Sequence, residues 1–219
     1  MKYNELSKED ILNRIACIEG WFGLKEIELM YKTVAGLQGC GCIVEIGSWC
    51  GRSLTLITLT ARKFLNSCKV FSIDPFLTSK DDDNGKFPTF KKNLEDSKVW
   101  TEITHIREKS HQAAEKFDEK IELLFIDGFH KYDYVKKDFE LFSLNVVEGG
   151  FIALHDVGSY YGPTKLVQEI LEVGAYKAVD YQGSTFMLQK ASLTEQDKIE
   201  NKNFLEKINR LFEEKDLVM

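Results

Sequence analysis

The sequence predicts a single α/β domain with a mostly parallel sheet and helices on both faces of that sheet. Two patterns support this prediction. Extended apolar runs alternate with helical patterns five times, and polar residues collect where those runs end. The run IELLFI at 121–126, followed by Asp-Gly, is typical of a parallel strand buried on both faces. A chain of 219 residues suits one domain with a large core.

The spacing of apolar residues assigns the elements in order. Positions that repeat every three or four residues predict helices at 8–19, 24–37, 52–65, 89–96, 110–117, 135–146, 164–173 and 193–212. Compact or alternating apolar runs predict strands at 42–46, 69–73, 103–107, 121–126, 150–154, 176–181 and 184–189. The pair Gln182-Gly183 is a turn signal between the last two runs, so we expect a hairpin that adds an antiparallel strand.

Composition and charge exclude several classes of protein. The chain has 29 basic and 35 acidic residues, and its net charge of −6 argues against a nucleic-acid partner. No apolar run reaches the roughly 18 residues that cross a bilayer, and the polar start MKYNELSKED is unlike a signal peptide. The five cysteines, an odd number without CxxC spacing, predict reduced thiols and a cytoplasmic protein.

Polar and glycine-rich segments follow five predicted strands directly. They are GSWCG at 47–51, DPF at 74–76, KSH at 109–111, DGFH at 127–130 and HD at 155–156. The carboxyl ends of parallel strands meet at one edge of an open sheet, where ligands bind. The sequence therefore predicts a single site made from these segments.

The first of these segments decides which ligand is expected. A dinucleotide turn needs glycine where its backbone approaches the pyrophosphate, but Trp49 stands there and the glycines, Gly47 and Gly51, are four apart. Glu45 precedes the turn and suits a cationic group, while Asp74 ends the next strand, where a carboxylate commonly holds ribose. A nucleoside with a positive end, such as S-adenosylmethionine, fits this pattern. Acid-then-glycine turns also occur in α/β proteins that bind no nucleoside.

Four segments together resemble class I S-adenosylmethionine-dependent methyltransferases. They are VEIGSWCGRS, VFSIDPF, LLFIDGFHKYDYVKKDFE and GGFIALHDV. Within that family they are most similar to the branch of sugar and natural-product O-methyltransferases and cephalosporin-hydroxylase-like proteins. The likeness covers about 15–190 and includes the opening IEGWFGLKEIELMY. It implies a Rossmann-like, doubly wound, seven-stranded sheet in the order 3-2-1-4-5-7-6, with the last strand antiparallel and helices at the N-terminus.

The resemblance also implies roles for the strand-end residues. The expected cofactor contacts are Glu45, Gly47, Ser48, Trp49, Gly51, Asp74, Pro75, Ser110, His111 and Asp127. Among these, the turn residues would cradle the cofactor, Asp74 would hold its ribose, and Ser110 with His111 would lie by the adenine.

Catalysis would fall to His130 as general base, together with Asp127. In metal-dependent relatives the positions of Asp127 and Asp156 bind a divalent cation such as Mg²⁺, and the resemblance implies His155, beside them, as a third metal ligand. This chain departs from the pattern at Phe129, where relatives commonly carry an acid, and at the His155-Asp156 pair. Metal-assisted and metal-free reactions therefore both stay open, as does the alternative that Asp127 only caps the following helix.

The leading hypothesis is an enzyme that methylates a hydroxyl of a small acceptor, such as a sugar or natural product. The alternatives are a nicotinamide-dependent oxidoreductase and a cofactor-binding protein without catalysis. We expect an N-terminal helical cap at 1–40, a cofactor-binding core at 41–190 and a C-terminal helix at 191–219. We expect no membrane partner, and a homo-oligomer is compatible with the sequence. The polar loop at 77–87 is either a lid or a plain solvated loop.

Overall fold

The computed structural model describes residues 6–77, 85–214 and 216–219. Most of the predicted loop at 77–87 lies outside these residues. The described strands are β1 (Cys42–Ile46), β2 (Val70–Ile73), β3 (Ile103–Ile106), β4 (Ile121–Ile126), β5 (Val146–Leu154), β6 (Lys177–Gln182) and β7 (Thr185–Gln189). The described α-helices are α1 (Lys8–Ala16), α2 (Leu24–Ala35), α3 (Arg52–Phe64), α4 (Phe87–Asp96), α5 (Ser110–Ala114), α6 (Tyr132–Phe142), α7 (Tyr161–Val173) and α8 (Glu195–Glu214).

The strands form one sheet in the order β3-β2-β1-β4-β5-β7-β6. The first five strands pair in parallel, and β7 runs antiparallel to both β5 and β6. This arrangement confirms the predicted fold class, strand order and antiparallel last strand. The order reverses beside β1, so β1 and β4 border the crevice in which such sheets bind ligands.

The region around β5 differs from the sequence prediction. The helix expected at 135–146 ends at Phe142 and passes through a 3₁₀ turn, Ser143–Asn145, so that Val146 is already paired with Ile121 in the sheet. Residues 147–150 then bulge opposite a single residue of β4, with Gly149 in the left-handed region at φ +82°. Val146 is buried in the same apolar cluster as Val135 and Phe142, so the helical spacing of apolar residues continues past the end of α6 and explains the wrong boundary.

The core lies on both faces of the sheet, because alternate residues of each strand point to opposite sides. In β1, Ile43 packs with the cluster that includes α1, α2 and α3, whereas Val44 and Ile46 pack with the cluster that includes α6, α7 and α8. Glu45 therefore points toward the α3 face. This orientation determines where Glu45 lies relative to the site described below.

The terminal helices are docked on the sheet domain. Ser7 and Asp10 form a capping box at the start of α1, and α1 and α2 pack on α3. At the other end, Asn201 of α8 accepts a hydrogen bond from the Ala178 amide at 2.8 Å and donates one to the Tyr176 carbonyl at 2.8 Å. Within the described ranges, no helix has both the length and the apolar character that a bilayer-spanning segment needs.

Candidate functional site

A cavity of about 880 Å³ lies at the carboxyl edge of the sheet. Backbone hydrogen bonds between neighbouring strands continue one residue beyond the ends of several strands, and these bonds hold the walls of the cavity together. The Gly47 amide donates to Ile73 at 2.9 Å, and the Asp127 amide donates to Ile46 at 2.8 Å. A volume of this size is in the range of small-molecule sites.

The turn after β1 depends on left-handed backbone. Gly47 and Gly51 both have φ +85°, and Trp49 has φ +42°. A Cβ on Gly47 would lie 2.2 Å from the carbonyl oxygen of Asp127, so only glycine lets the turn pass this close to the end of β4. The strained Trp49 conformation is consistent with a site under functional constraint.

Asp74 holds this turn from the neighbouring strand. Its Oδ2 accepts hydrogen bonds from the amides of Ser48 at 2.8 Å and Trp49 at 3.1 Å, and its Oδ1 accepts one from Phe76 at 2.7 Å. Each carboxylate oxygen can accept more than one hydrogen bond. Asp74 therefore keeps acceptor capacity toward the cavity that it lines.

Glu45 lies behind the cavity wall and does not line it. The residue is fully buried; its Oε1 accepts a hydrogen bond from Ser53 Oγ at 2.6 Å, while Oε2 has no partner among the described residues. Burial raises the pKa of Glu45 to about 8, against the opposing effect of the Ser53 and Ser48 hydroxyls. A positive ligand group reaching this carboxyl would favour its ionised form.

Ser110 and His111 line another wall of the cavity at the start of α5. Ser110 donates a hydrogen bond to Asp138 of α6, a cavity residue that the sequence did not single out. Burial raises the pKa of Asp138 to about 6, although the hydrogen bond from Ser110 and the charge of Lys137 lower it.

Two carboxylates and two histidines meet where β4 and β5 end. His155 Nδ1 lies 3.0 Å from Asp127 Oδ1 and 3.2 Å from Asp156 Oδ2, although neither contact has hydrogen-bond alignment. His130 Nε2 lies 2.8 Å from Asp156 Oδ2. Since α6 begins after Lys131, Asp127 does not cap it. Asp156 is held in the left-handed region at φ +61°.

This group can accommodate a divalent cation. One donor atom from each of Asp127, His130 and Asp156 lies within 4.8 Å of the other two. The chemistry also fits, because carboxylate oxygens with an imidazole nitrogen suit Mg²⁺, Mn²⁺ and their neighbours. His155 differs from His130, because both of its ring nitrogens already face carboxylates of the protein.

The pKa shifts in this group describe an imidazolium surrounded by carboxylates. Burial works against the charged His155, but the charge of Asp127, followed by contacts with Asp127, Asp156 and Glu26, raises the pKa of His155 to about 12. Burial raises the pKa of Asp127. Burial also acts against ionised Asp156, but the close rings of His130 and His155 lower its pKa below the usual range. A further positive charge beside Asp127 would favour its ionised form.

Glu26 is a buried carboxylate of α2 that the sequence interpretation missed. Its Oε2 accepts from the Gly23 amide at 2.6 Å, and its Oε1 lies 3.1 Å from His155 Nε2 and 3.0 Å from the Ser184 amide. Burial opposes its ionisation, but hydrogen bonds from His155, Gly23 and Ser184 lower the pKa of Glu26 to about 2. The sequence signal at Glu26 was only that of a helix cap, three residues after Gly23.

The structure gathers nearly all of the residues singled out in the sequence around this cavity. The lining includes Gly47, Ser48, Trp49, Gly51, Asp74, Pro75, Ser110, His111, Asp127, His130, His155 and Asp156. Glu45 alone of the candidates stands behind the wall. Trp21 also lines the cavity, 71% exposed, with its ring centroid 4.1 Å from that of Trp49.

Comparisons with known proteins agree with this architecture. Residues 44–157 match the model of a family described as a methyltransferase domain. Protein R132 of Acanthamoeba polyphaga mimivirus is 34% identical over 122 residues, which are 53% of this chain and 52% of that protein. The match thus spans about half the length of that relative.

Solved structures share the fold at low identity. CalS11, a TDP-rhamnose 3'-O-methyltransferase of calicheamicin biosynthesis, is 15% identical with a TM-score of 0.59, over 84% of this chain and 87% of that one. An O-methyltransferase from Bacillus cereus in complex with SAH is 14% identical with a TM-score of 0.58, over 82% of this chain and 88% of that one.

Proposed function

The chain belongs to the family of methyltransferase domains, and we propose that it transfers a methyl group from S-adenosylmethionine to a hydroxyl of a small acceptor. The observation that carries the proposal is the shared cavity, in which Asp74 and the turn at 47–51 lie near the Asp127, His130 and Asp156 group. The end of the cavity at Asp74 and the turn suits a nucleoside. The end at the Asp127, His130 and Asp156 group suits deprotonation of a hydroxyl.

The cofactor end depends on the β1 turn and the end of β2. Asp74 would accept hydrogen bonds from the ribose hydroxyls while it keeps the Ser48 and Trp49 amides in place. Ser110 and His111 would border the adenine. The cationic end of the cofactor, if it lies near Glu45 behind the turn, would favour the ionised form of this carboxyl group.

The reaction requires alignment of the acceptor and removal of its proton. When bound, S-adenosylmethionine supplies an electrophilic methyl group on a sulfonium, and a divalent cation supplies Lewis acidity to the acceptor oxygen. His130 would accept the proton of the hydroxyl through Nδ1, because its Nε2 already faces Asp156 at 2.8 Å. The cavity walls would hold the hydroxyl in line with the methyl group.

We propose that Asp127 and Asp156 are the anionic ligands of the cation. Their approach to one another at the ends of neighbouring strands supports this assignment. His130 is either the proton acceptor or the third ligand. A His130→Gln variant decides between these roles: unchanged Mn²⁺ affinity supports the base, and a large loss of Mn²⁺ affinity supports the ligand.

A sugar or natural product is the acceptor class that we propose. The mouth of the cavity carries exposed aromatic rings, among them Trp21, Phe129 and Tyr134, which provide flat apolar surfaces for a ring-shaped acceptor. The TDP-rhamnose substrate of CalS11 is consistent with this class.

The experiment that tests the proposal is calorimetric titration of SAH into the purified chain, with and without Mg²⁺. We expect binding, and we expect Asp74→Asn to weaken it by roughly 10- to 100-fold, since a hydrogen bond to a charged group contributes about 1.5–3 kcal/mol. Asp96→Asn is the matched control, because Asp96 lies on the surface of α4 and pairs with Lys92. Absence of SAH binding by the unmodified chain in both conditions would refute the proposal.

A further inference from the structure

Glu26 joins three parts of the molecule that are distant in sequence. Its Oε2 accepts a hydrogen bond from the Gly23 amide at the start of α2. Its Oε1 accepts hydrogen bonds from the amide and the hydroxyl of Ser184, at 3.0 and 2.8 Å, just before β7. The same oxygen lies 3.1 Å from His155 Nε2. Glu26 is only 4% exposed, so these protein groups surround it in place of water.

His155 is held from both sides of its ring. Nε2 faces Glu26 at 3.1 Å and Ser184 Oγ at 3.3 Å, while Nδ1 faces Asp127 at 3.0 Å and Asp156 at 3.2 Å. The residue is 5% exposed, and the rings of Phe22 and Phe125 pack against it with centroids 5.8 and 6.1 Å away. Turning the ring would leave buried carboxylates without their partner, which is strongly unfavourable.

We propose that Glu26 is a positioning residue for the Asp127–Asp156 cation site and that it acts through His155, which is itself not a ligand. The proposal rests on the proposed function, since it concerns the cation of the same site. Glu26 fixes the ring of His155, and the ring in turn fixes both carboxylates at the cavity wall. Groups that orient the ligands of a metal commonly change its affinity 10- to 100-fold when they are removed.

Titration of Mn²⁺ alone into the full chain measures this effect without any acceptor or turnover. We expect Glu26→Gln to weaken Mn²⁺ binding by roughly 10-fold or more. Glu28→Gln is the matched control, because it removes the same charge from the same helix, where Glu28 pairs with Lys8 and Lys32 near the surface. Equal Mn²⁺ affinity in the Glu26→Gln and unmodified chains would overturn the proposal.

A double-variant cycle tests the route through His155. If Glu26 acts only through that ring, Glu26→Gln causes no further loss of Mn²⁺ affinity once His155→Gln is present. Additive losses would contradict the route. If Glu26→Gln does not fold, Ser184→Ala replaces it, because this change removes a hydroxyl that contacts both Glu26 and His155. We expect a several-fold loss of Mn²⁺ affinity from it, and no loss overturns the proposal.

SAH binding separates this inference from the proposed function. A chain that binds SAH but no Mn²⁺ overturns the role of Glu26 and leaves methyl transfer as a metal-free reaction. A chain that binds Mn²⁺ in the expected Glu26-dependent way but no SAH supports the positioning role and refutes the proposed activity.

Discussion

Asp138 is a buried carboxyl group of the cavity wall whose ionisation costs stability. Burial raises its pKa from 3.8 to about 6, so the folded state keeps a proton that the unfolded state has already released. The favourable contribution of this proton is complete below pH 4 and is lost as the pH rises to 6. A shift of this size corresponds to about 3 kcal/mol at neutral pH.

We therefore expect Asp138→Asn to be more stable than the unmodified chain at pH 7.5, by roughly 1–3 kcal/mol. The asparagine oxygen can still accept the hydrogen bond from Ser110. Urea unfolding at pH 7.5 and pH 4 measures the difference, which should vanish at the lower pH. A difference of the same size at both pH values would show that ionisation is not its cause.

Gly47 is required for two reasons: its backbone is left-handed, and Asp127 leaves no room for a side chain. We expect Gly47→Ala to destabilise the fold by more than the ~1 kcal/mol of left-handed strain, because the new Cβ would meet the backbone of Asp127 at 2.2 Å. Gly174→Ala is the control: its φ is +69°, but no atom lies within 4 Å of the added carbon. Thermal unfolding of the two variants compares the costs, and equal losses would contradict the contact with Asp127.

At the scale of elements, the sequence correctly predicted those strand bounds that depend on the local spacing of apolar residues. The buried run 121–126 and the strand 42–46 have the predicted bounds, because apolar residues and turn signals define them locally. The helix at 110–117 ends early, at Ala114, and β5 begins early behind a 3₁₀ turn. The link between Glu26 and Ser184 joins residues 158 positions apart, and no local pattern encodes such a contact.

The segment at 216–219 braces the loop between β5 and α7. The Tyr161 amide donates to the Val218 carbonyl at 2.8 Å, and the Val218 amide donates to Ser159 at 3.1 Å. Tyr161 is the first residue of α7, so its amide has no partner within the helix. Its neighbour Tyr160 packs on His130, with ring centroids 4.1 Å apart. The loop held by residues 216–219 therefore contacts the proposed proton acceptor.

Removal of residues 216–219 should therefore expose the Tyr161 amide without unfolding the sheet. We expect hydrogen exchange at this amide to become roughly tenfold faster or more, because it loses its acceptor. The Val157 amide, which donates to Ser184 at 2.9 Å, is the internal control and should keep its rate. Faster exchange at both amides would indicate general loosening, and an unchanged Tyr161 rate would contradict the brace.

At the scale of the molecule, the sequence predicted where the cavity forms but not what closes it. Parallel strand ends converge by topology, so the order of strands and loops along the chain is enough to place Asp74, Asp127 and Asp156 at one edge of the sheet. Trp21 and Ser184 reach the same cavity from the N-terminal helices and the last hairpin, through packing that depends on the whole fold.

A ligand that contacts all of these parts should stabilise the chain as a unit. SAH at about 100 times its dissociation constant should add about 2.7 kcal/mol to the free energy of unfolding. For a domain of this size, that corresponds to a rise in melting temperature of roughly 5–10 °C. NADH at the same concentration is the control and should cause no rise, because Trp49 occupies the place where a dinucleotide turn needs glycine. A rise with NADH and none with SAH would favour the oxidoreductase instead.

A smaller SAH-induced rise in melting temperature for Asp74→Asn than for Asp96→Asn would tie the stabilisation to the end of β2.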